Sequence, residues 1–331
     1  MKETLNYLFE GNTLTRERAR EKLGELASGK FSEAEMAAFL TVFNMRKIQP
    51  EELAGFRDAM IDLAVKIDLK EFNLIDVCGT GGDEKNTFNI STLSSFVIAG
   101  CDAKVVKHGN YAVSSPCGSS NIFEHFGYKF SNDNDKLRNE IEKTGICYMH
   151  APLFHPAMKN VGPVRKALKV KTFFNILGPM VNPSLPQNQF IGVYSEEVQK
   201  LYAEVYKQIG VNHIIVYSMD GYDEISLTGD FQYISMHKHE VLTPDSLGLL
   251  RTEHMELFGG NSVQEAAKIF EDILSGNGTE AQKNVVVANS AMALKCYYPD
   301  KSLEDCISSA SESLESKKAY QILKKLIELQ N

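Results

Sequence analysis

The sequence DVCGTGGD, at residues 76–83, decides how the rest of the chain is interpreted. The apolar run at 74–78 predicts a buried strand, and the run LSSFVIA at 93–99 predicts a helix behind the glycines. Glycine residues in such a turn let backbone N–H groups approach an anion closely. The first N–H groups of the following helix have no partner within the helix and point at the same place. The stretch therefore predicts a phosphate-binding turn at the end of a strand.

A purely structural interpretation of the same stretch is a tight turn followed by an N-capped helix, because Asn89, Ser91 and Thr92 are ordinary capping residues. Two common phosphate motifs do not match. A dinucleotide-binding fingerprint requires a third glycine where Glu84 stands, and a Walker A loop requires a Gly-Lys-Ser/Thr sequence that does not follow. If this turn binds an anion, its contacts have a geometry that differs from those of these two motifs.

The composition indicates a globular protein of about two domains, because 43% of the 331 residues are hydrophobic and 24% are charged. The net charge of −8 argues against general binding to nucleic acid or to anionic membranes. No apolar run is long enough to span a membrane, and Met1 is not followed by a signal-like apolar core. The six cysteines are scattered without a C-x-x-C pair, which indicates reduced thiols. We therefore expect a cytoplasmic protein.

The pattern of predicted elements divides the chain into two domains. Residues 1–71 contain only helical patterns and form a small N-terminal helical domain, which we expect residues of about 160–185 to join. In residues 72–331 strand-like runs alternate with helices, which predicts an α/β domain with a mostly parallel central sheet. The runs lie at 74–78, 103–106, 145–149, 189–193 and 213–217, with two short strands at 231–236 and 240–242. In such sheets ligands bind beyond the carboxyl ends of the strands, which is where the glycine turn falls.

A second polar loop, KHGNYAVSSPCGS at 107–119, follows the second predicted strand. It combines the fixed positive charge of Lys107 with glycines and serine hydroxyls, which is the chemistry of an anion-binding loop. A polar turn with Ser119 as the N-cap of the next helix is the alternative interpretation.

The adjacent carboxylates of Asp223 and Glu224 repel each other unless a cation or water separates them, and magnesium prefers one or two carboxylates together with phosphate oxygens. A solvated acidic loop is the alternative. His237 and His239 do not form a zinc site, because no nearby residues supply a third and fourth ligand. Arg165 has the fork geometry that suits a carboxylate, although a helix-surface arginine is the simpler interpretation. Together these residues suggest a magnesium-bound polyphosphate ester and a carboxylate co-substrate.

Four motifs, taken in order, resemble those of the anthranilate phosphoribosyltransferases. They are GTGGD at 79–83 with NIST at 89–92, KHGN at 107–110, NILGP at 175–179 with Asn182-Pro183, and DEIS at 223–226. The resemblance implies the nucleoside phosphorylase/phosphoribosyltransferase type of fold, in which a helical domain is hinged to a larger α/β domain. It also implies transfer of the phosphoribosyl group from 5-phospho-α-D-ribose 1-diphosphate (phosphoribosyl diphosphate) to the amine of anthranilate in tryptophan biosynthesis, by a homodimer paired through the helical domain.

The resemblance also implies the residues of the site. The residues implied for phosphoribosyl diphosphate are Gly79, Gly82, Asp83, Thr87, Asn89, Ile90, Ser91, Thr92, Lys107, His108, Gly109, Asn110, Tyr111, Ala112, Val113, Ser114, Ser115 and Ser119. Those implied for anthranilate are Gly79, Asn110 and Arg165, with His108 and Pro179 along its path. Two magnesium ions per monomer would be held by Ser91, Asp223 and Glu224.

Two positions depart from the usual pattern of this family. Tyr111 stands where arginine is common, and Cys117 stands where serine or alanine is commoner. The loss of that arginine affects substrate affinity more than the type of reaction, and a tyrosine hydroxyl can still donate a hydrogen bond. The expected reaction is displacement of diphosphate at the anomeric carbon, for which we assign no general base, with His108 as the one candidate.

Two other functions share features with this chain. A pyrimidine nucleoside phosphorylase has the same general architecture, but its lysine-containing loop and glycine-rich segment differ in detail. A regulatory or nucleic-acid-binding relative that has kept only the fold is the second alternative. The intact residues Ser91, Asp223 and Glu224 argue against a protein without catalytic activity.

Overall fold

The computed structural model describes residues 1–112 and 115–331, and these residues form two compact units. The first unit comprises Met1–Lys66 and Pro152–Leu185, and the second comprises Ile67–Ala151 and Pro186–Asn331. The sequence analysis assigned residues 67–71 to the helical domain, but the structure places them in the second unit, which they contact. Asp68 N donates to Asn134 Oδ1 (2.9 Å), and Glu71 pairs with Arg138 (2.6 Å). The chain enters the first unit again at residue 152 rather than at about 160.

The helices and strands are named in chain order. The α-helices of the described residues are α1 Lys2–Phe9, α2 Arg16–Ala27, α3 Glu33–Met45, α4 Pro50–Leu63, α5 Ile90–Ala99, α6 Ser119–His125, α7 Asn134–Thr144, α8 Ala151–Phe154, α9 Gly162–Leu168, α10 Phe174–Leu177, α11 Glu196–Ile209, α12 Val263–Leu274, α13 Glu280–Tyr297, α14 Leu303–Glu315 and α15 Lys318–Glu328. The strands are β1 Leu74–Gly79, β2 Lys104–Gly109, β3 Ile146–His150, β4 Asn188–Gly192, β5 Asn212–Ser218, β6 Phe231–Ser235 and β7 His239–Leu242.

The first unit is helical, and its helix starts follow the local sequence signals. Ser32 and Glu35 form a capping box at the start of α3, and Pro50 occupies the first turn of α4. Aromatic side chains fill the core of this unit, where Phe56 and Phe173 stack with ring centroids 4.3 Å apart. No strand of the described residues lies in this unit.

The second unit is built around one seven-stranded sheet with the order β3-β2-β1-β4-β5-β6-β7. The first five strands of this order are parallel, and β6 and β7 continue the sheet antiparallel. The predicted fold class, a helical domain with a mostly parallel α/β domain, is therefore confirmed. The winding reverses between β1 and β4, where Gly79 pairs with Gly192. A crevice beyond the strand ends at such a reversal is where ligands bind in open α/β sheets.

The sheet is covered by buried helices. Helix α13 is buried along most of its length, as the apolar run in the sequence predicts, and it packs together with α5 in the main core of the second unit. Two polar residues, Asn289 and Ser290, lie in the middle of this apolar helix and are fully buried. Within 1–112 and 115–331, no helix combines the length and the apolar character needed to cross a membrane.

Candidate active site

The first glycine turn continues directly from β1. Its backbone is fixed by two hydrogen bonds, from Thr80 N to Gly192 O (2.9 Å) and from Gly81 N to Asp223 Oδ2 (2.6 Å). Gly81 and Gly82 have φ angles of +67° and +79°, which favour glycine over any other residue. The Thr80 hydroxyl oxygen is buried and has no hydrogen-bond partner among the described residues, a feature that the sequence analysis did not assign. The turn thus presents backbone and hydroxyl groups at the carboxyl end of the central strand.

The start of α5 lacks the side-chain capping hydrogen bond that an ordinary N-cap residue makes. Asn89 is the N-cap residue but makes no capping hydrogen bond, and its Nδ2 instead donates to Cys117 O (3.1 Å) in the second loop. Ser91 N donates to Glu224 Oε1 (3.3 Å), so a helix-start amide is directed at the acidic pair. Ile90 and Thr92 are buried beside it. The interpretation of this stretch as an ordinary capped turn is therefore wrong.

A distant segment pairs with the end of the first turn. Thr87 forms an isolated β-bridge with Phe258, and Gly259 N donates to Asn86 O (2.8 Å). In the same segment, Asp83 Oδ1 accepts from Lys85 N (3.0 Å). A Cβ atom at Gly259 would lie 2.3 Å from the Thr87 carbonyl oxygen, so a side chain there would separate the two backbones. The sequence analysis missed this segment.

Lys107 brings a buried cation to the carboxyl end of β2. Its Nζ donates to Val77 O (2.7 Å) and lies 3.4 Å from Ser91 Oγ, and burial lowers the pKa of this amine. Its neighbour His108 is also buried, and His108 N donates to Asp76 Oδ1 (3.2 Å). The positive charge therefore lies next to the first turn rather than in solvent.

The second loop is closed by hydrogen bonds between its two ends. Asn110 O accepts from Ser120 N (3.1 Å) and from Ser119 Oγ (3.4 Å), and the Ser119 hydroxyl also lies 2.9 Å from the Tyr148 hydroxyl. Gly109 ends β2, and a Cβ atom there would lie 2.3 Å from Ser119 Oγ. Ser119 is the first residue of α6, where Gly118 is the N-cap residue, so the capping role proposed for Ser119 is wrong.

Several residues predicted for phosphoribosyl diphosphate lie in the middle of this loop. Ala112 and Ser115 are partly exposed. Val113 and Ser114, which belong to the same predicted set, lie outside the described residues.

The two departures from the family pattern have different surroundings. The Tyr111 side chain is 39% exposed, and its hydroxyl donates to Glu124 Oε1 (3.3 Å) while its ring packs against His150 with centroids 5.0 Å apart. Cys117 is buried, and burial raises the pKa of its thiol to about 11. A thiol with that pKa stays protonated at neutral pH and is a poor nucleophile.

Asp223 and Glu224 are both buried, with 7% and 8% of their surfaces exposed. The alternative of a solvated acidic loop is therefore wrong. Burial, followed by the charges of Asp83 and Glu224, raises the pKa of Asp223 well above its usual value. Burial raises the pKa of Glu224 to about 7, although Lys107 and the hydrogen bonds from Ser91 act in the opposite direction.

The donor set of this acidic pair fits a divalent cation. Glu224 Oε2 is buried and has no hydrogen-bond partner among the described residues. Two neighbouring buried carboxylates, one with an unused oxygen, are costly unless a positive charge lies between them. Within the described ranges no three His, Cys, Asp or Glu side chains form a metal site, so these carboxylates alone do not complete the ligand shell of a cation.

Glycine residues at two strand ends make room for the acidic pair. A Cβ atom at Gly79 would lie 2.3 Å from Asp223 Oδ2, and a Cβ atom at Gly192 would lie 1.7 Å from the Asp223 carbonyl oxygen. The sequence analysis assigned Gly79 but missed Gly192. A glycine at the end of a buried strand is the signal that could have indicated it, because such a glycine often marks close approach of another backbone.

Arg165 lies on α9 in the first unit. Its guanidinium carbon lies 4.8 Å from the centroid of the Phe174 ring, and burial lowers its pKa without a counteracting carboxylate among the described residues. Pro179 is buried in a short turn of the same unit. The guanidinium is thus positioned by an aromatic ring and is not neutralised by the part of the chain that the structure describes.

Comparison with known proteins first defines the class. Residues 2–64 match the helical bundle domain of a glycosyl transferase family, and residues 71–320 match the a/b domain of the same family. The chain therefore has the two domains of this glycosyl transferase family.

Full-length relatives narrow this class. Anthranilate phosphoribosyltransferases from Flavobacterium johnsoniae and Bacteroides fragilis are 52% and 50% identical to this chain, and each alignment covers 99% of both proteins. The crystal structure of the Thermus thermophilus enzyme is 31% identical with a TM-score of 0.93, covering 98% of each chain. A Saccharomyces cerevisiae structure in complex with PRPP and Mg is 25% identical, has a TM-score of 0.90, and covers 98% of this chain and 96% of the yeast chain. The chain belongs to the anthranilate phosphoribosyltransferase family, which confirms the resemblance found in the sequence.

Proposed function

We infer that this chain transfers the phosphoribosyl group from phosphoribosyl diphosphate to the amine of anthranilate. The products are N-(5-phosphoribosyl)anthranilate and diphosphate, and the reaction is a step of tryptophan biosynthesis. The observation that carries this inference is the hydrogen bonding of the glycine turn and the start of α5 to one buried acidic pair, through Gly81 N to Asp223 and Ser91 N to Glu224. A glycine turn next to a helix start and a buried carboxylate pair are two features that suit a magnesium diphosphate.

The metal assignment extends to a count and a set of ligands. Ser91, Asp223 and Glu224 would hold two magnesium ions per monomer, with phosphate oxygens of the substrate completing the coordination. The unused oxygen of Glu224 supports this assignment. When bound, magnesium neutralises the charge that develops on the leaving diphosphate.

The phosphoribosyl diphosphate assignment uses the two loops. The first turn and the start of α5 would contact the phosphates, with Gly81 N and Ser91 N donating to the acidic pair beside them. The buried cation of Lys107 compensates part of their negative charge from beside Ser91. The full set comprises Gly79, Gly82, Asp83, Thr87, Asn89 to Thr92, Lys107 to Ser115 and Ser119, of which Val113 and Ser114 lie outside the described residues.

We assign anthranilate to Gly79, Asn110 and Arg165, with His108 and Pro179 along its path. The Arg165 guanidinium suits the anthranilate carboxylate because it has five N–H donors in a fixed plane and no described protein carboxylate to neutralise it. The Asn110 side chain accepts from Tyr111 N (2.8 Å), which fixes the direction of its amide.

The reaction is a displacement at the anomeric carbon. The anthranilate nitrogen forms a bond to this carbon as the bond to the diphosphate oxygen breaks, and the centre inverts. An aromatic amine is a weak base, so its proton is lost to water after the attack and no general base is required. His108 is the one candidate for a base. Positioning of the two substrates and electrostatic stabilisation of the leaving group supply most of the acceleration.

Two further assignments concern the whole molecule. We propose a homodimer that pairs through the helical unit, on which Phe9 and Met45 expose 66% and 82% of their surfaces. Light scattering of the purified chain tests this, and a monomer at micromolar concentration would contradict it. We also propose a cytoplasmic location, which the six free cysteines of the structure favour.

The activity is tested by following anthranilate fluorescence with the purified chain. Fluorescence should fall only when phosphoribosyl diphosphate and MgCl₂ are both present. Phosphate-dependent cleavage of thymidine or uridine without loss of anthranilate would instead indicate a nucleoside phosphorylase. Tight, salt-sensitive DNA binding without turnover would indicate a protein that has kept only the fold.

A further inference from the structure

The acidic pair lies in a buried segment without regular secondary structure. Asp223, Glu224 and Ile225 lie between β5 and β6, outside the strand ladders of the described residues. Ile225 is fully buried. Because a buried backbone N–H or C=O group without a partner is costly, groups outside a ladder need partners from elsewhere. The position of the carboxylates therefore depends on the side chains that supply those partners.

Asn289 of α13 supplies two of these partners to a single residue. Its Oδ1 accepts from Ile225 N (3.0 Å), and its Nδ2 donates to Ile225 O (2.8 Å). The second N–H of the same amide donates to Val285 O (2.8 Å), one turn earlier in the helix. Asn289 is completely buried, so its amide does not contact solvent. It holds the backbone immediately after Glu224 from both sides.

Two further contacts fix the same segment from the sheet. Ser218, the last residue of β5, donates from its hydroxyl to Glu224 O (2.7 Å) and accepts from Ser226 N (3.2 Å). Gly192, at the end of β4, has no Cβ atom, so the Asp223 carbonyl oxygen can lie close to the backbone of this residue. The backbone of the acidic pair is thus held by one helix and two strands.

We propose that Asn289 is a positioning residue for the magnesium-binding carboxylates. The hydrogen bonds of its amide all go to backbone groups, and it acts by fixing the backbone at Ile225, directly after Asp223 and Glu224. Such support is needed because two buried carboxylates repel each other before the cation arrives. Residues that support metal ligands from outside the coordination shell commonly change metal affinity by about 10- to 100-fold when mutated. The proposal rests on the proposed function only in taking these carboxylates as magnesium ligands.

The test is metal binding by the Asn289→Ala variant, with Ser290→Ala as the matched control. Ser290 is the next residue of the same helix, and its buried hydroxyl has no hydrogen-bond partner among the described residues. Mn²⁺ binding is measured from the electron paramagnetic resonance signal of the free ion, with phosphoribosyl diphosphate present and anthranilate absent. We expect Asn289→Ala to weaken Mn²⁺ binding by about tenfold or more, and Ser290→Ala to bind as the wild type does.

A second measurement separates positioning from a general loss of structure. In the turnover assay the half-saturating MgCl₂ concentration should rise for Asn289→Ala, while kcat at saturating MgCl₂ and the KM for anthranilate change little. Ser218→Ala removes the hydrogen bond to Glu224 O and should shift the metal dependence in the same direction. If circular dichroism shows that Asn289→Ala does not fold, Ser218→Ala decides the question.

Two outcomes would overturn the proposal. One is a folded Asn289→Ala whose metal response equals that of the wild type. The other is an unfolded Asn289→Ala together with a wild-type metal response of Ser218→Ala. Failure of the proposed function would be recognised separately, because a wild type that binds Mn²⁺ with phosphoribosyl diphosphate but does not consume anthranilate still permits the comparison of metal binding.

Discussion

Each unit of the molecule contains buried carboxylates, and the two sites differ in how many hydrogen-bond partners the carboxylate oxygens have. In the first unit Glu52 is fully buried, and Arg46 binds it with two hydrogen bonds of 2.8 and 2.6 Å. Leu14 N and Gln49 N donate to the same carboxylate at 2.8 and 2.9 Å. In the second unit Asp223 and Glu224 are buried side by side, and an oxygen of Glu224 has no partner among the described residues.

The contrast shows how a structural carboxylate differs from one that awaits a ligand. Every oxygen of Glu52 is used and its charge is neutralised by the chain itself, so the residue contributes to folding and has no capacity left for a ligand. The Asp223–Glu224 pair has two carboxylates near one buried cation, Lys107, and an oxygen of Glu224 without a partner among the described residues, so a bound cation would stabilise its charged form. Hydrogen-bond saturation therefore distinguishes the two better than burial, which they share.

The largest expected effect is the loss of stability when the Glu52 carboxylate is replaced. Glu52→Gln leaves the Arg46 charge without its anion, and removing one partner of a buried ion pair costs about 3–5 kcal/mol of unfolding free energy. Urea denaturation measures this loss. Glu33→Gln, which changes an exposed carboxylate of α3, is the control and should have almost no effect. Equal stability of the two variants would contradict the structural role of Glu52.

Substitutions at Asp223 and Glu224 should lower the activity of the enzyme and should not lower its stability. Asp223→Asn and Glu224→Gln should each lower kcat/KM by about 10²-fold or more, because stabilisation of the leaving diphosphate is lost. Their unfolding free energy in metal-free buffer should not fall, since less like charge is buried together. Steady-state kinetics and urea denaturation of the same preparations test both statements. A loss of stability as large as that of Glu52→Gln would remove the distinction between the sites.

The same comparison applies to two arginines of the first unit, Arg46 and Arg165, which differ in whether a protein carboxylate neutralises their charge. Arg46 is paired with a protein carboxylate, whereas Arg165 is held by the Phe174 ring. Arg165→Ala should raise the KM for anthranilate by about 10- to 100-fold, because a charged hydrogen bond contributes about 1.5–3 kcal/mol, and should leave the KM for phosphoribosyl diphosphate nearly unchanged. Arg46→Ala should lower stability and leave both KM values unchanged. Equal damage to both substrates by Arg165→Ala would contradict its assignment to anthranilate.

The smallest expected effect concerns a buried neutral histidine of the first unit. His155 Nε2 lies 3.0 Å from Val181 O, and burial lowers the pKa of His155 to about 4. Because the unfolded chain binds this proton near pH 6.5, the stabilising contribution is complete above pH 6.5 and is lost as pH falls towards 4. At pH 5.5 the loss should be about 1 kcal/mol. Urea denaturation from pH 7.5 to 5 should show a flatter curve for His155→Gln than for the wild type, and parallel curves would contradict this.

The local motifs can be predicted because each depends on neighbouring residues. The glycine turn after β1, the polar segment that begins at Lys107 and the fold class follow from spacing and composition. The structure places the turn at the carboxyl end of β1, whereas Lys107 to Gly109 form the last residues of the adjacent parallel strand β2 and the loop begins after them. What the sequence analysis missed joins distant parts of the chain. Gly81 and Asp223 are 142 residues apart, and Ile225 and Asn289 are 64 residues apart. No spacing rule connects such positions, and an asparagine within an apolar helix looks like any other buried polar residue.

The sequence by itself determined that this chain has a helical domain, an α/β domain and a glycine turn at the end of a strand, because helix starts, strand runs and glycine conformations depend on a few consecutive residues. Only the tertiary structure decided that the acidic pair is buried rather than solvated, that Gly192 and Asn289 hold it, and that Glu52 is saturated while Glu224 is not. Burial and hydrogen-bond partners are properties of surfaces brought together from distant parts of the chain, so they exist only once the chain has folded.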